Sequence, residues 1–308
     1  MKKTEFKRRS NDGMTDLHII LWEPSEAPKG VLQLVHGMVE HIARYDEFAT
    51  YLANRGYAVI GHDHLGHGES VSDESKYGFF AAKNGAATVL ADMHLVTEEG
   101  KNRFPGVKFG ILGHSMGSLF TRKYLSMFGR EMDFAVVMST GFIPWFMASF
   151  GKNLSRLTAT LRGDLCRSKL LTTLALGGNN KPFEPAKTEW DWTTKDEAII
   201  AKRMADPWCL FDFTARGFAD FFTVITDLTR KPVYGGIPKA LPMLLTSGEV
   251  DPVGGKKAVE SLAAQYKSVG MENVTVQIYP DDRHEILNET DRETVFQNIE
   301  QWISGVIG

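Results

Sequence analysis

One serine lies where the sequence could make it a nucleophile. Residues 113–117 read GHSMG, between the apolar run 107–112 and an amphipathic helical pattern. A glycine-flanked serine between a strand and a helix is typical of a nucleophile elbow, a sharp turn that exposes the hydroxyl in a strained conformation. Ser115 is therefore the candidate nucleophile, although the five-residue pattern alone also occurs in incidental tight turns.

A serine hydroxyl needs a base to activate it, and the base needs an acid to orient it. Asp251 follows the apolar run 241–248, and His284 follows the run 274–279 and a short turn. Because reactive groups gather at the carboxyl ends of strands in open parallel sheets, these residues are the candidate acid and base. His284 is also the only histidine after residue 114. The chain order nucleophile, acid, base is that of one fold class.

Each of these assignments has an alternative. Asp251 precedes a proline and could be a turn residue, in which case Glu249 would be the acid. His284 has charged neighbours on both sides and could be a surface-loop histidine. Two other serines, Ser118 and Ser139, do not lie between two glycines, so we predict structural roles for them.

Backbone N–H groups must stabilise the oxyanion that forms when a serine attacks a carbonyl group. The Met116 N–H lies at the predicted helix start, where N–H groups have no acceptor within the helix. A second donor is expected after an early strand, and the run 31–35 leads into residues 36–38, HGM. We predict that the N–H groups of Met38 and Met116 form the oxyanion hole. Alternatively, residues 36–37 form a plain strand-ending turn.

A group of histidines suggests a metal site as a competing hypothesis. His62, Asp63, His64 and His67 lie close together in the chain, and imidazole and carboxylate groups suit zinc. The segment reads as a glycine-rich turn after a strand, where polar groups satisfy the loop backbone. No zinc motif with complete spacing is present, nor is a phosphate-binding loop. We therefore predict neither a metal nor any other cofactor.

Strands and helices alternate along most of the chain and would position these residues. A turn signal at residues 11–13, NDG, predicts an antiparallel hairpin at the start. From residue 30 onward, apolar runs alternate with helical patterns; the runs span residues 31–35, 57–60, 107–112, 134–138, 243–246 and 274–279. This alternation predicts an α/β fold with a mostly parallel central sheet and helices on both faces.

The alternation is interrupted by a segment without a strand pattern, residues 142–235. Phe218, Phe221 and Phe222 recur there at helical spacing, and four of the six tryptophans lie in these 94 residues. The aromatic residues could form a separate core or line a pocket large enough for an acyl chain. We predict a core domain of residues 1–141 and 236–308, with a helical cap inserted at 142–235.

Composition and charge exclude several classes of partner. The 308 residues carry a net charge of −3, so no broad cationic field exists to bind nucleic acid.

The basic start of the chain is followed by polar residues rather than the apolar core of a signal peptide. The most apolar stretch, 134–150, is too short and too interrupted to span a bilayer. Two cysteines, Cys166 and Cys209, fit reduced thiols and a cytoplasmic location.

Taken together, the motifs resemble those of the α/β-hydrolase enzymes called monoacylglycerol lipases and lysophospholipases. The matching segments are residues 36–41 (HGMVEH), 44–45 (RY), 63–70 (DHLGHGES), 113–117 (GHSMG), 251–252 (DP) and 283–285 (RHE). The resemblance covers nearly the whole chain outside the predicted cap. It implies Ser115 as nucleophile, Asp251 as acid, His284 as base, the Met38 and Met116 amides as oxyanion hole, and a helical cap over the pocket.

The resemblance also implies an activity. Members of this family are mostly cofactor-free hydrolases of esters with medium or long acyl chains, and some touch membranes through the cap. We therefore expect a serine hydrolase that acts on lipid-type acyl esters through an acyl-enzyme intermediate, with transient membrane contact through the cap. Nothing in residues 142–235 matches a pattern tied to one substrate, so other functions of this scaffold stay open. They are a small-ester carboxylesterase, a peptidase, a haloperoxidase, a carbon–carbon hydrolase and a non-catalytic ligand sensor.

Overall fold

A single eight-stranded sheet organises the chain. The computed structural model describes residues 1–308. The strands are β1 (Lys2–Arg9), β2 (Asp16–Glu23), β3 (Gly30–Val35), β4 (Tyr57–His62), β5 (Phe109–His114), β6 (Phe134–Met138), β7 (Met243–Gly248) and β8 (Val274–Tyr279). Their order in the sheet is β1-β2-β4-β3-β5-β6-β7-β8. Strands β1 and β2 form the predicted antiparallel hairpin, and every pair from β4 through β8 is parallel.

Helices cover both faces of the sheet, which confirms the predicted fold class. The helices are α1 (Asp46–Ala53), α2 (Gly85–Arg103), α3 (Met116–Phe128), α4 (Trp145–Arg162), α5 (Lys169–Leu176), α6 (Glu197–Ala205), α7 (Ala215–Leu228), α8 (Lys231–Tyr234), α9 (Gly255–Ser268) and α10 (Arg292–Ile307). Apolar residues of α1 and α10 pack on one face, and those of α2, α3 and α9 pack on the other. Because the central strands are covered on both sides, every residue of β3 through β7 is buried.

The segment between β6 and β7 contains the five helices α4 to α8 and no strand. An isolated bridge joins Arg167 and Thr214. The aromatic residues of α7, including Phe218 and Phe222, belong to the same apolar cluster as the sheet and α3. Helices α4, α5 and α7 therefore extend the main core. The predicted division of the chain at residues 142 and 235 stays a prediction.

Two further features bear on the sequence predictions. None of the helices combines the length and the apolar character that crossing a membrane requires. Cys166 and Cys209 are both unpaired, and Cys209 is fully buried.

Candidate active site

Ser115 occupies the turn between β5 and α3 at the carboxyl edge of the sheet. Its backbone has φ +53° and ψ −120°, a left-handed conformation that a residue with a side chain rarely adopts. The Ser115 N–H donates to the Met138 carbonyl on the neighbouring strand at 3.0 Å. The predicted strained turn is therefore present, and Ser115 lines a cavity.

The glycines on either side of Ser115 are required by close backbone packing. A Cβ atom on Gly113 would collide with the Thr121 hydroxyl, and one on Gly117 would collide with the carbonyls of Val35 and His36. No larger residue fits at either position without moving backbone. The GHSMG pattern thus reflects the packing of β5, α3 and the end of β3.

Three side chains from three strand ends meet at this turn. The Ser115 hydroxyl lies 2.8 Å from His284 Nε2, and His284 Nδ1 lies 2.9 Å from Asp251 Oδ1. Asp251 also accepts hydrogen bonds from the Val253 N–H at 2.9 Å and the Ser247 hydroxyl at 3.1 Å. Burial by itself would raise the pKa of Asp251, but the His284 imidazole and these donors lower it below its ordinary value. Asp251 is therefore a carboxylate at neutral pH.

The alternative residues do not reach this arrangement. Glu249 is exposed and pairs with Lys256 at 3.5 Å, away from the imidazole. The Ser118 hydroxyl donates to the Ser115 carbonyl at 2.5 Å, so it braces the turn. Ser139 is buried and its hydroxyl has no hydrogen-bond partner. Its backbone N–H pairs with strand β7, which gives it a place in the sheet.

The two predicted oxyanion donors line the same cavity as Ser115 and His284. The Met38 N–H has no acceptor within the protein, and the Met116 N–H is the first of helix α3, where no intrahelical acceptor exists. The loop that carries Met38 packs directly on the serine, because a Cβ atom on Gly37 would lie 3.2 Å from the Ser115 Cβ. Two free N–H groups beside a serine hydroxyl can stabilise negative charge on a carbonyl oxygen.

The histidine group of the sequence forms a cluster of buried rings. His36, His62, His64 and His67 are fully buried, and their rings pack in tilted or edge-on pairs with centroids 4.4 to 6.3 Å apart. Burial lowers the pKa of His62 and of His67 to about 3, so these rings are neutral. His36 accepts a hydrogen bond from the His64 N–H at 2.9 Å and bonds the Gly37 carbonyl at 2.8 Å. Asp63 is engaged elsewhere, by the Ile42 N–H at 2.7 Å and by His18 at 2.9 Å.

A buried carboxylate at the cavity wall has a role that the sequence did not reveal. Glu40 Oε1 accepts hydrogen bonds from the Gly37 N–H at 2.5 Å and the Tyr45 hydroxyl at 2.9 Å, and lies 3.1 Å from His114 Nδ1. Burial by itself would raise the pKa of Glu40, but His114 and Arg44 hold it well below its usual range. The carboxylate thus fixes the loop before Met38. In the sequence, the four-residue spacing of Glu40 and Arg44 after the HGM segment is the feature that could have indicated this ion pair.

A second buried carboxylate ties the His284 loop to the same network. Arg44 donates to Glu285 from both terminal nitrogens, at 3.1 and 2.6 Å. Arg203, from helix α6, donates to Glu285 at 3.3 Å. Burial by itself would raise the pKa of Glu285, but the two guanidinium groups lower it to about 2. No feature of the sequence marked Arg203 as a partner.

An apolar cavity of about 410 Å³ lies above the serine. Its walls come mostly from residues between β6 and β7, and they include Ile143, Phe146, Met147, Phe150, Leu174, Leu176, Trp190, Trp192, Phe221 and Phe222. The Trp192 ring also lies 4.9 Å from the His284 ring, measured between centroids. A group bound in this cavity would be desolvated and adjacent to the serine hydroxyl.

Comparison of the sequence with known families gives one match that spans most of the chain. The family model described as "Serine aminopeptidase, S33" matches residues 26–291. Similar curated proteins include a monoglyceride lipase homolog of Monkeypox virus, 27% identical over 92% of each chain. A monoacylglycerol lipase of Mycolicibacterium smegmatis is 26% identical over 92% of this chain and 91% of that protein. The human monoglyceride lipase is 26% identical over 92% of this chain and 85% of that protein.

Solved structures share the fold over the full length. A thermostable carboxyl esterase from Bacillus coagulans, solved with glycerol, superposes with a TM-score of 0.93 at 25% identity and covers all of both chains. A soluble variant of monoglyceride lipase from Saccharomyces cerevisiae has a TM-score of 0.80 at 18% identity, over 99% of this chain and 96% of that chain.

Proposed function

This chain belongs to the serine aminopeptidase S33 family, and we propose that it is a serine hydrolase of lipid-type carboxylic esters, such as monoacylglycerols or lysophospholipids. One observation carries the proposal: the Ser115 hydroxyl lies 2.8 Å from His284 Nε2, and both residues line an apolar cavity. The similarity to monoglyceride lipases over nine-tenths of the chain supports it.

The proposed mechanism is acyl transfer through the serine. With His284 Nδ1–H donating to Asp251, His284 Nε2 is free to accept the Ser115 proton as the hydroxyl oxygen attacks the ester carbonyl. The N–H groups of Met38 and Met116 stabilise the oxyanion. The imidazolium then protonates the leaving alcohol. In the second half of the reaction, His284 takes a proton from water as the water attacks the acyl-enzyme, and it returns that proton to Ser115 as the acid leaves. These residues supply every group that the reaction needs, so the proposal includes no cofactor.

The peptidase alternative is disfavoured by the charges in the cavity. An aminopeptidase must bind the α-ammonium group of its substrate, which calls for a carboxylate that is not already paired. The two carboxylates that line the cavity are Glu40 and Glu285. Arg44 pairs with both of them, and Arg203 also pairs with Glu285. The cavity therefore offers apolar surface to an acyl chain but no unpaired acid to an amine.

Chain-length dependence tests the substrate class. Each methylene buried in an apolar pocket contributes about 0.8 kcal/mol, so kcat/KM for p-nitrophenyl esters should rise up to about fourfold per added methylene until the cavity is filled. We expect decanoate to exceed acetate by at least about 100-fold. An alanine p-nitroanilide, assayed in parallel, should show no turnover above background. A maximum at acetate, or faster turnover of the anilide, would contradict the proposal.

We also propose that helix α4 brings the cavity mouth to a lipid surface. Phe146 and Phe150 line the cavity, yet they are 67% and 62% exposed, and neighbouring Trp145 is 58% exposed. Large apolar side chains rarely cluster on a surface that only water contacts. The helix also carries three basic residues and no acidic one, which favours anionic lipid. This contact would let a lipid enter from the membrane.

Vesicle binding tests the lipid contact. We expect the double variant Trp145→Ser, Phe150→Ser to bind phosphatidylcholine vesicles containing an anionic lipid about tenfold more weakly per lost aromatic, measured by sedimentation. Met127→Ser is the matched control, because Met127 is 54% exposed but lies on helix α3. Equal binding by the double variant and the control would refute the contact. The proposed cytoplasmic location rests on the sequence alone.

A further inference from the structure

The loop that carries the Met38 N–H contains a residue in a strained backbone conformation. We call residues 36–42 the oxyanion loop. Val39, within this loop, has φ +55°. A β-branched residue rarely adopts this left-handed conformation, and it stays there only when surrounding contacts hold it. Because Met38 directly precedes Val39, relaxation of Val39 would displace the Met38 backbone relative to Ser115.

One side chain from outside the loop bonds the backbone of Val39. Arg203 Nη2 donates to the Val39 carbonyl at 3.0 Å, while Nη1 of the same guanidinium donates to Glu285 at 3.3 Å. The Trp190 ring lies under the guanidinium, 4.0 Å from its central carbon. Arg203 is only 4% exposed, so these contacts are shielded from water. A planar guanidinium makes these two bonds from two separate nitrogens held in a fixed geometry, whereas an ammonium would have to make both from one nitrogen atom.

The rest of the network fixes the loop on the other side of Met38. Glu40 binds the Gly37 N–H and is itself held by Arg44 at 2.7 Å. Arg44 also binds Glu285, and Arg203 donates to the same carboxylate. The oxyanion loop is therefore held before Met38 by Glu40 and after it by Arg203. Glu285 directly follows His284, so the same ion pairs join the two loops that the reaction uses.

Helix α6, which carries Arg203, is anchored to the core near the site. Just before the helix, Lys195 Nζ lies 2.7 Å from Asp282, and the Lys195 N–H donates to Glu289 at 2.9 Å. Just after it, Asp206 lies 2.7 Å from His41 Nε2. These contacts place α6 in fixed register with the His284 loop and the oxyanion loop. Helix α4, with its exposed apolar residues, has no comparable set of ionic contacts with these loops.

We propose that Arg203 is a positioning residue for the oxyanion hole. By binding the Val39 carbonyl while it is paired with Glu285, Arg203 keeps Val39 in its strained conformation and the Met38 N–H directed at the reacting oxygen. This inference rests on the proposed function, because it assigns Arg203 a part in stabilising the oxyanion. It also makes the segment between β6 and β7 a component of the catalytic centre as well as a wall of the cavity.

The first test separates transition-state stabilisation from binding. With p-nitrophenyl acetate, Arg203→Met should lower kcat by about 10- to 100-fold and change KM by less than about threefold. Affinity for a trifluoromethyl ketone should fall by a similar factor, because its adduct with the serine carries an oxyanion. The matched control is Arg216→Met, which removes an ion pair with Asp164 at 2.9 Å outside the cavity and should keep full activity.

Arg203→Lys is a second variant, in case Arg203→Met does not fold. It keeps the positive charge beside Glu285 but replaces the guanidinium with an ammonium. It should fold like the parent and show an intermediate loss of kcat. A role limited to balancing the charge of Glu285 would instead give full activity in Arg203→Lys. That result, or a loss confined to KM in both Arg203 variants, would overturn the proposal.

The second test asks whether Arg203 acts through Val39. Glycine adopts the left-handed conformation without strain, so Val39→Gly should make the loop less dependent on Arg203. In the Val39→Gly background, adding Arg203→Met should lower kcat by less than about threefold. A loss as large as in the parent would refute the route through Val39. Failure of the proposed function is a separate result, because it would appear with Arg203 unchanged, as activity that survives Ser115→Ala or as a maximum rate with acetate.

Discussion

Replacing Ser115 by alanine is expected to lower kcat for ester hydrolysis by about 10⁶-fold, with little change in stability. The change removes the proposed attacking oxygen and leaves His284 without the proton that it would accept. The oxyanion donors and the cavity remain, so a small residual rate above that of water is expected. Steady-state hydrolysis of p-nitrophenyl decanoate measures the loss, with active-site titration of the parent as the reference.

A chemical label adds an independent readout for Ser115. A fluorophosphonate should modify the parent at one site, and peptide mapping should locate the adduct on Ser115. The matched control is Ser139→Ala, since Ser139 is buried near the same sheet edge but its hydroxyl contacts no partner. This variant should be labelled and should turn over substrate as the parent does. Near-normal hydrolysis by Ser115→Ala would end the proposal of a serine mechanism.

The strand ends could be predicted from the sequence because their signals are local. The apolar runs at 31–35 and 134–138 are buried strands with nearly the predicted bounds. The run at 274–279 is a strand as predicted, but it lies at the sheet edge and only Tyr279 in it is buried. In a parallel sheet the carboxyl ends of strands share one edge, so the sequence placed Ser115 and His284 on the same edge of the sheet. The local sequence thus predicted the strands and the shared edge, while the loop after β8 determines that His284 reaches Ser115.

The partners of buried charges could not be predicted in this way. Glu40 and Arg44 are visible as an ion pair four residues apart, but His114 and Glu285, which complete the network, lie about 70 and 240 residues further along the chain. Only the closed fold shows which charges meet. Arg203 is the clearest case, because its contacts depend on how α6 sits against two loops of the core.

The aromatic residues of the inserted segment show a second limit. Their helical spacing predicted helices, and five helices are present. The sequence did not show whether these side chains would form a separate core or line a pocket. Phe218 belongs to the core cluster that includes the sheet, whereas Phe221 and Phe222 belong to that cluster and also line the cavity. Which aromatic residues of α7 reach the cavity depends on how α7 packs against α3 and α4. The helical spacing of the sequence does not contain this information.

Replacing Asp251 by asparagine is expected to lower kcat by about 10⁴-fold while the protein stays folded. An amide has nearly the same shape, but it carries no charge to stabilise the imidazolium of His284. It can also turn its NH₂ group toward Nδ1 and favour the wrong tautomer, in which Nε2 carries the proton and cannot accept that of Ser115. Burial by itself would raise the pKa of Asp251, but His284 and the hydrogen-bond donors lower it below its ordinary value. The parent therefore keeps its carboxylate charged throughout the neutral range in which the rates are compared.

Glu249→Gln is the matched control, because it makes the same acid-to-amide change two residues away at the alternative acid. Glu249 is exposed, and its partner Lys256 lies 3.5 Å away outside the cavity. An exposed ion pair of this kind contributes at most about 1 kcal/mol to the free energy of unfolding, so the variant should stay folded. Because the pair lies outside the cavity, kcat should stay within about twofold of the parent. If Glu249→Gln lost activity while Asp251→Asn kept it, the acid would be Glu249 and the loop after β7 would have to rearrange during the reaction.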